Sequence, residues 1–240
     1  MCGRYALYGP PSRHNREPLK FYGEAIDFAA RYNIAPAQAL PVYWIDAEHG
    51  RRLTLMHWGL VPAWAKDAAL GARMNNARAE TVAQKPAFRA AYRRRRCLVP
   101  MNGFYEWQRS GAHKTPYFVQ LHNGELFAVA GLYECWAGNA STPPLVSFAV
   151  LTTAANALMQ PLHDRMPVII PPAAYESWLD PDNNSGRGLE TLLQPYPADA
   201  LRAYAVSPRV NNVRNDDATL PEAAAPSAIL APTPLQGQLL

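Results

Sequence analysis

Four short stretches place polar or reactive groups in apolar or turn-rich surroundings, where burying them unpaired is costly: "CGRY" at 2–5, "NNARAET" at 75–81, "NGFYEW" at 102–107 and "HDRMP" at 163–167. The first holds the most distinctive reagent. Removal of Met1 leaves Cys2 with a free α-amine and a thiol on adjacent carbons, a 1,2-aminothiol that no internal cysteine can supply. The competing reading is that Cys2 is a small apolar residue opening a first strand.

Glu106 is the one acid in the apolar run 97–107, between Tyr105 and Trp107. A carboxyl held against aromatic surface has a raised pKa and suits general acid work near neutrality, unless strand alternation turns it to solvent. His163 sits beside Asp164 and Arg165 between an expected helix and an expected strand, as a proton shuttle or as an ordinary loop residue. Asn76 could cap a helix and Arg78 could be a solvated side chain. Five arginines fall in the eight positions 89–96, a pattern that fits either nucleic acid or a solvated helix end that favours the helix dipole. Trp58 and Trp64 flank Pro62 and read either as stacking platforms for unpaired bases or as core.

Bulk properties narrow the setting for this chemistry. At 240 residues and 49% hydrophobic, the chain can bury one substantial core. A net charge of +4 permits a local basic groove without demonstrating one. Three cysteines without C-x-x-C spacing argue against a disulfide framework and a structural zinc site. There is no H-E-x-x-H, Walker loop or G-x-G-x-x-G, so neither metal nor cofactor is expected. No signal-peptide core or membrane-length apolar run is visible, which predicts a cytoplasmic protein with no membrane partner.

The elements that must position these groups are mostly strands. With 23 prolines and 14 glycines spread throughout, periodic segments are short. Strands are expected within 2–8, 40–46, 52–61, 97–107, 116–121, 126–136, 145–152, 166–170 and 201–207, many of them apolar on both faces. Helices are expected at 17–27, at 77–94 with a break at Pro86, at 155–162, and at 172–180 with Pro172 in the first turn. The expectation is one α+β domain with a β-barrel-like mixed or antiparallel core over residues 1–217. An Ala/Pro-rich tail at 218–240 is expected to be poorly ordered.

Taken together, "MCGRY", "YNIAP", "WGLVPAWAKD", "NARAET", "RRCLVPMNGFYEW", "AGLYE", "LTTAAN", "HDRMPVI" and "VSPRVNNVRND" occur in an order that resembles the SRAP family. These are the abasic-site processing proteins, once called SOS response-associated peptidases. The resemblance runs from Met1 to about Asp217. It implies a groove for single-stranded DNA and a covalent bond between Cys2 and an abasic site. It further implies that Asn76 orients the ring-opened sugar, Glu106 assists ring opening and proton transfer at the amine, and His163 moves protons. Arg4, Arg78 and Arg165 would grip flanking phosphates, Trp58 and Trp64 would form the cleft and its wedge against the bases, and Thr152 would reach the site. The partner would be abasic single-stranded DNA, bound by a monomer that associates with the nucleoid while on DNA. Chemistry agrees: an α-amine of pKa near ~8 forms an imine with the open-chain sugar aldehyde, and the thiol closes a thiazolidine. The alternative is an N-terminal-nucleophile cysteine peptidase or amidohydrolase, which needs an oxyanion hole rather than a DNA groove.

Overall fold

The computed structural model describes residues 2–9, 20, 26, 28–46, 48, 50–111, 113–224 and 229–230. β-Branched and aromatic runs pair into two sheets. In one sheet, β1 (Tyr5–Leu7) lies between β2 (Arg31–Ile34) and β7 (Gly103–Ser110), which continues through β8 (His113–Leu121) and β13 (Leu201–Ala205) to β14 (Ile229–Leu230). The other is built from β3 (Ala39–Asp46), β4 (Gly50–Trp58), β6 (Arg96–Met101), β9 (Phe127–Trp136) and β10 (Leu145–Ala154). These five close a ring, because β10 pairs with β9 on one side and with β4 on the other. Closure removes the open edges that long apolar strands would otherwise expose. Three short strands attach to it: β5 (Asn76–Arg78) and β11 (Arg165–Pro167) on β10, and β12 (Ile169–Ile170) on β9. The mixed, barrel-like α+β core expected from the sequence is present.

Alternation divides the ring's side chains. Val42, Cys97, Val99, Val129, Phe148 and Val150 join Cys2, Tyr5 and Phe104 in the main core. Tyr43, Leu98, Ala130, Ala149 and Leu151 face the opposite way and pack with Trp178 of the short helix α2 (Tyr175–Leu179).

Helices are shorter than the sequence suggests. The run 77–94 begins as strand β5, passes through turns and becomes helical only at α1 (Arg89–Arg94). Residues 155–162 form consecutive turns, in which the Asn156 side chain accepts from the Met159 amide and its backbone carbonyl accepts from the amides of Met159 and Gln160. The segment 172–180 is a 3-10 turn with Pro172 in its first turn, followed by α2. The expected helix at 17–27 falls largely outside the described residues. Packing also runs beyond Asp217. Leu220 is buried with Tyr105 and Phe118, the Ala224 amide bonds Ala205 at 2.9 Å, and β14 pairs with β13 inside the supposed tail.

Two arginines of the run, Arg95 and Arg96, are structural, while Arg89, Arg93 and Arg94 are exposed. Arg96 is buried and its guanidinium donates to the carbonyls of Trp178, Tyr92, Arg93, Asn183 and Asp180, while Arg95 pairs with Glu134 at 2.7 Å.

Candidate functional site

Residues 2–4 extend β1 along β7, with the Tyr105 amide donating to the Arg4 carbonyl at 2.9 Å. Cys2 is thereby drawn into the main core, where it is 0% exposed. On the far side of it stands β10, which first pairs in parallel with the end of β4 and then with β5. Between those two strands the chain makes an excursion over residues 59–75. Its two ends are pinned where Gly59, at φ +137, lies against Gly71, so closely that a Cβ at either residue would fall within 2.8 Å of the other's carbonyl oxygen. That closure returns the chain beside Trp58, whose indole N–H donates to the Asn75 carbonyl at 3.0 Å, and sets Asn76 at the start of β5.

Asn76 reaches Cys2. Its Nδ2 donates to the Cys2 carbonyl at 2.8 Å, and its Oδ1 is buried with no hydrogen-bond partner among the described residues. A buried orphan acceptor is costly unless a donor arrives. Burial, and secondarily the Glu106 carboxylate, push the Cys2 thiol up to about 12, so the sulfur is held as the protonated thiol. Burial likewise holds the Glu106 carboxyl above the ordinary range, with His163 pulling in the opposite direction. Alternation therefore turns Glu106 inward, as general acid chemistry requires.

His163 has two neighbours at one nitrogen. The Arg165 amide donates to Nδ1 at 3.0 Å, and an Asp164 carboxylate oxygen lies 2.7 Å from the same atom. The neutral ring takes the amide and keeps its proton on Nε2, whereas the cation gives an Nδ1 proton to Asp164. Glu106 and His163 line one cleft of about 400 Å³, together with Trp107, Arg109, Lys114 and Asn211. Sequence reasoning singled out none of these last four. Trp107 and Asn211 lie far apart in the chain and meet only here, where the indole N–H donates to Asn211 Oδ1 at 2.7 Å.

The expected cationic residues are placed unequally. Arg78 is exposed at the end of β5. Arg4 uses Nη1 to bond Asn33 Oδ1 at 2.7 Å and the Val210 carbonyl at 2.8 Å, with its guanidinium 5.7 Å from the Trp107 ring. Asn33 is itself buried and donates to the carbonyls of Val210, Asn212 and Asn215, so Arg4 helps to fasten the late 206–217 segment against β1. Arg165 forms a bidentate pair with Glu80 at 2.6 and 2.9 Å and also reaches the Thr152 carbonyl. Thr152 is buried, its hydroxyl 3.5 Å from the Ala77 carbonyl. Arg165 and Thr152 thus tie β11, β10 and β5 together beneath Asn76.

The two tryptophans separate. Trp58 is 0% exposed, set edge-on to Tyr5 and stacked on Phe148, and so presents no face to a base. The expectation of a stacking Trp58 is corrected by its burial; the residue positions Tyr5 and Asn75 instead. Trp64, out on the excursion, is 61% exposed beside a groove it shares with Lys66, Leu70 and Arg73.

Residues 1–213 match the family described as SOS response associated peptidase (SRAP). Abasic site processing protein YoaM of Bacillus subtilis (strain 168) is 40% identical over 225 residues, covering 93% of this chain and 98% of its own. Abasic site processing protein HMCES of Xenopus tropicalis is 30% identical over 223 residues, covering 81% of this chain and 66% of its own. A crystal structure of a protein from Bacteroides thetaiotaomicron superposes with a TM-score of 0.81 at 25% identity, spanning 93% of this chain and 100% of that one.

Proposed function

This chain belongs to the SRAP family, and on that premise we propose that it captures abasic sites in single-stranded DNA through Cys2 after Met1 is removed. The observation that carries the reading is the hydrogen bond from Asn76 to the Cys2 carbonyl, beside an Asn76 Oδ1 that is buried without a donor. Cleavage of the Met1–Cys2 peptide bond converts the Cys2 amide into an amine, which carries more N–H donors than the amide it replaces.

The reaction balances without a cofactor. The open-chain abasic sugar presents an aldehyde at C1′. The Cys2 amine adds to it, and loss of one water gives an imine. Cys2 Sγ then adds to the imine carbon while its proton passes to the imine nitrogen, closing a five-membered thiazolidine. The amine attacks first, and sulfur only closes the ring. Glu106, held above the ordinary carboxylate range, donates a proton to the departing hydroxyl and takes one back from the nitrogen. His163, whose Nδ1 lies between the Arg165 amide and Asp164, relays protons to solvent. Exposed Arg78 contacts a flanking phosphate, and exposed Trp64 meets a base next to the gap. Arg4, Arg165 and Thr152 keep the surrounding strands in place, and Arg165 reaches phosphate only by exchanging Glu80 for it.

The test is covalent capture of an oligonucleotide with one abasic site, read on a denaturing gel, with Cys2→Ala and a version carrying one extra residue before Cys2 as controls. An adduct lost in both controls supports the proposal. An adduct that survives either control overturns it.

A further inference from the structure

We infer that Arg109 and Lys114 form a phosphodiester-binding subsite at the mouth of the Glu106–His163 cleft, holding the DNA backbone to one side of the abasic nucleotide. This deepens the proposed function and rests on it. The two residues stand directly opposite each other in the antiparallel β7–β8 ladder. Like charges so placed destabilise a hairpin. No carboxylate among the described residues pairs with either of them, whereas Arg95, Arg165 and Arg209 all have acidic partners.

Alternation puts Trp107, Arg109 and Lys114 on the same side of the hairpin, and all three line the cleft. The acid in its lining is Glu106, whose carboxyl burial holds above the ordinary range. Two exposed cations of complementary type, one a planar fork and one a compact ammonium, suit an anion with several equivalent oxygens. Arg109 lies three residues beyond Glu106 along β7, roughly 10 Å at the usual strand rise. A cation at that reach touches the backbone next to the reacting sugar, not the sugar itself. Trp107 contacts the Arg4 guanidinium on one side and Asn211 on the other, and lines the same cleft.

The experiment measures reversible binding of single-stranded oligonucleotides, with and without one abasic site, to the Cys2→Ala protein across a series of salt concentrations. Arg109→Gln, Lys114→Gln and the double variant are compared with the exchanged pair Arg109→Lys/Lys114→Arg. Each lost phosphate contact lowers the slope of log K against log salt by about 0.7, so the double variant loses about 1.4 and binds about 20-fold more weakly at 0.1 M salt. The exchanged pair keeps most of the slope. Both side chains are exposed, and thermal melting confirms that the variants fold. An unchanged slope in the double variant overturns the subsite while the adduct assay on the wild-type protein leaves the proposed function standing. If the wild-type protein neither binds nor crosslinks the abasic strand, both fall.

Discussion

Asn76 Nδ2 lies 2.8 Å from the carbonyl oxygen of Cys2, a contact between residues 74 positions apart. It exists because β1 is threaded between β2 and β7 while β5 is delivered to the edge of β10, so two different sheets place one residue each. Asn76→Ala removes this tether. Its expected cost in stability is about 1 kcal/mol, and the expected fall in single-turnover capture is about 100-fold, because the amine is no longer aimed. Urea denaturation and a timed denaturing gel measure the two separately.

Glu106→Gln changes the pH dependence of stability in a defined direction. Burial raises the Glu106 carboxyl in the folded state above its unfolded value. Its contribution is therefore intact below the ordinary carboxylate pKa and is lost as pH rises through the folded value. The glutamine variant, neutral throughout, melts higher than the wild-type protein at pH 7, and the difference closes as pH falls toward 4. Capture moves the other way, slowing by about 100-fold near neutrality through loss of the proton donor. Calorimetric melting at several pH values and adduct kinetics read the two effects.

Arg96→Met tests whether the arginine run binds DNA or holds the fold. The substitution leaves the Trp178, Tyr92 and Asp180 carbonyls without their donor, and a loss of about 3 kcal/mol or more is expected by urea denaturation. Arg93→Ser and Arg94→Ser, at exposed positions, stay within about 0.5 kcal/mol.

Gly71→Ala probes the neck of the excursion that carries Trp64. The added Cβ would lie 2.6 Å from the Gly59 carbonyl oxygen, so the two ends of the excursion must part and Asn75–Asn76 must shift. The protein loses stability by about 2 kcal/mol, and capture slows with it. A variant with wild-type stability and capture rate contradicts the close approach.

Much of the strand content is legible in the sequence because long apolar runs such as 126–136 and 145–152 have one fate in a closed sheet. Other elements are not. β5 is three residues whose only reason to be extended is the parallel edge that β10 offers, so local propensity reads it as the start of a helix. The 155–162 run has helical spacing, yet it closes as turns around Asn156 ahead of Pro161. At the site, the residue types single out Cys2, Asn76, Glu106 and His163 as a set to examine, and the fold brings Asn76 to Cys2 and Glu106 to His163. What pattern does not disclose is the partner of each cation: Arg165 beside Glu80, Arg4 beside Asn33 and Trp107, and Arg109 and Lys114 with no carboxylate partner among the described residues. Trp58 and Trp64 look alike in the sequence, and only the packing of Tyr5 and Phe148 decides that one is interior.

Joint uptake of the abasic aldehyde by the Cys2 amine and thiol is open to intact-mass spectrometry of the purified protein mixed with an abasic single-stranded oligonucleotide. The expected species has the mass of the chain without Met1 plus the oligonucleotide less one water, and is absent with Cys2→Ala. A protein lacking Met1 that shows no such species under saturating DNA contradicts it.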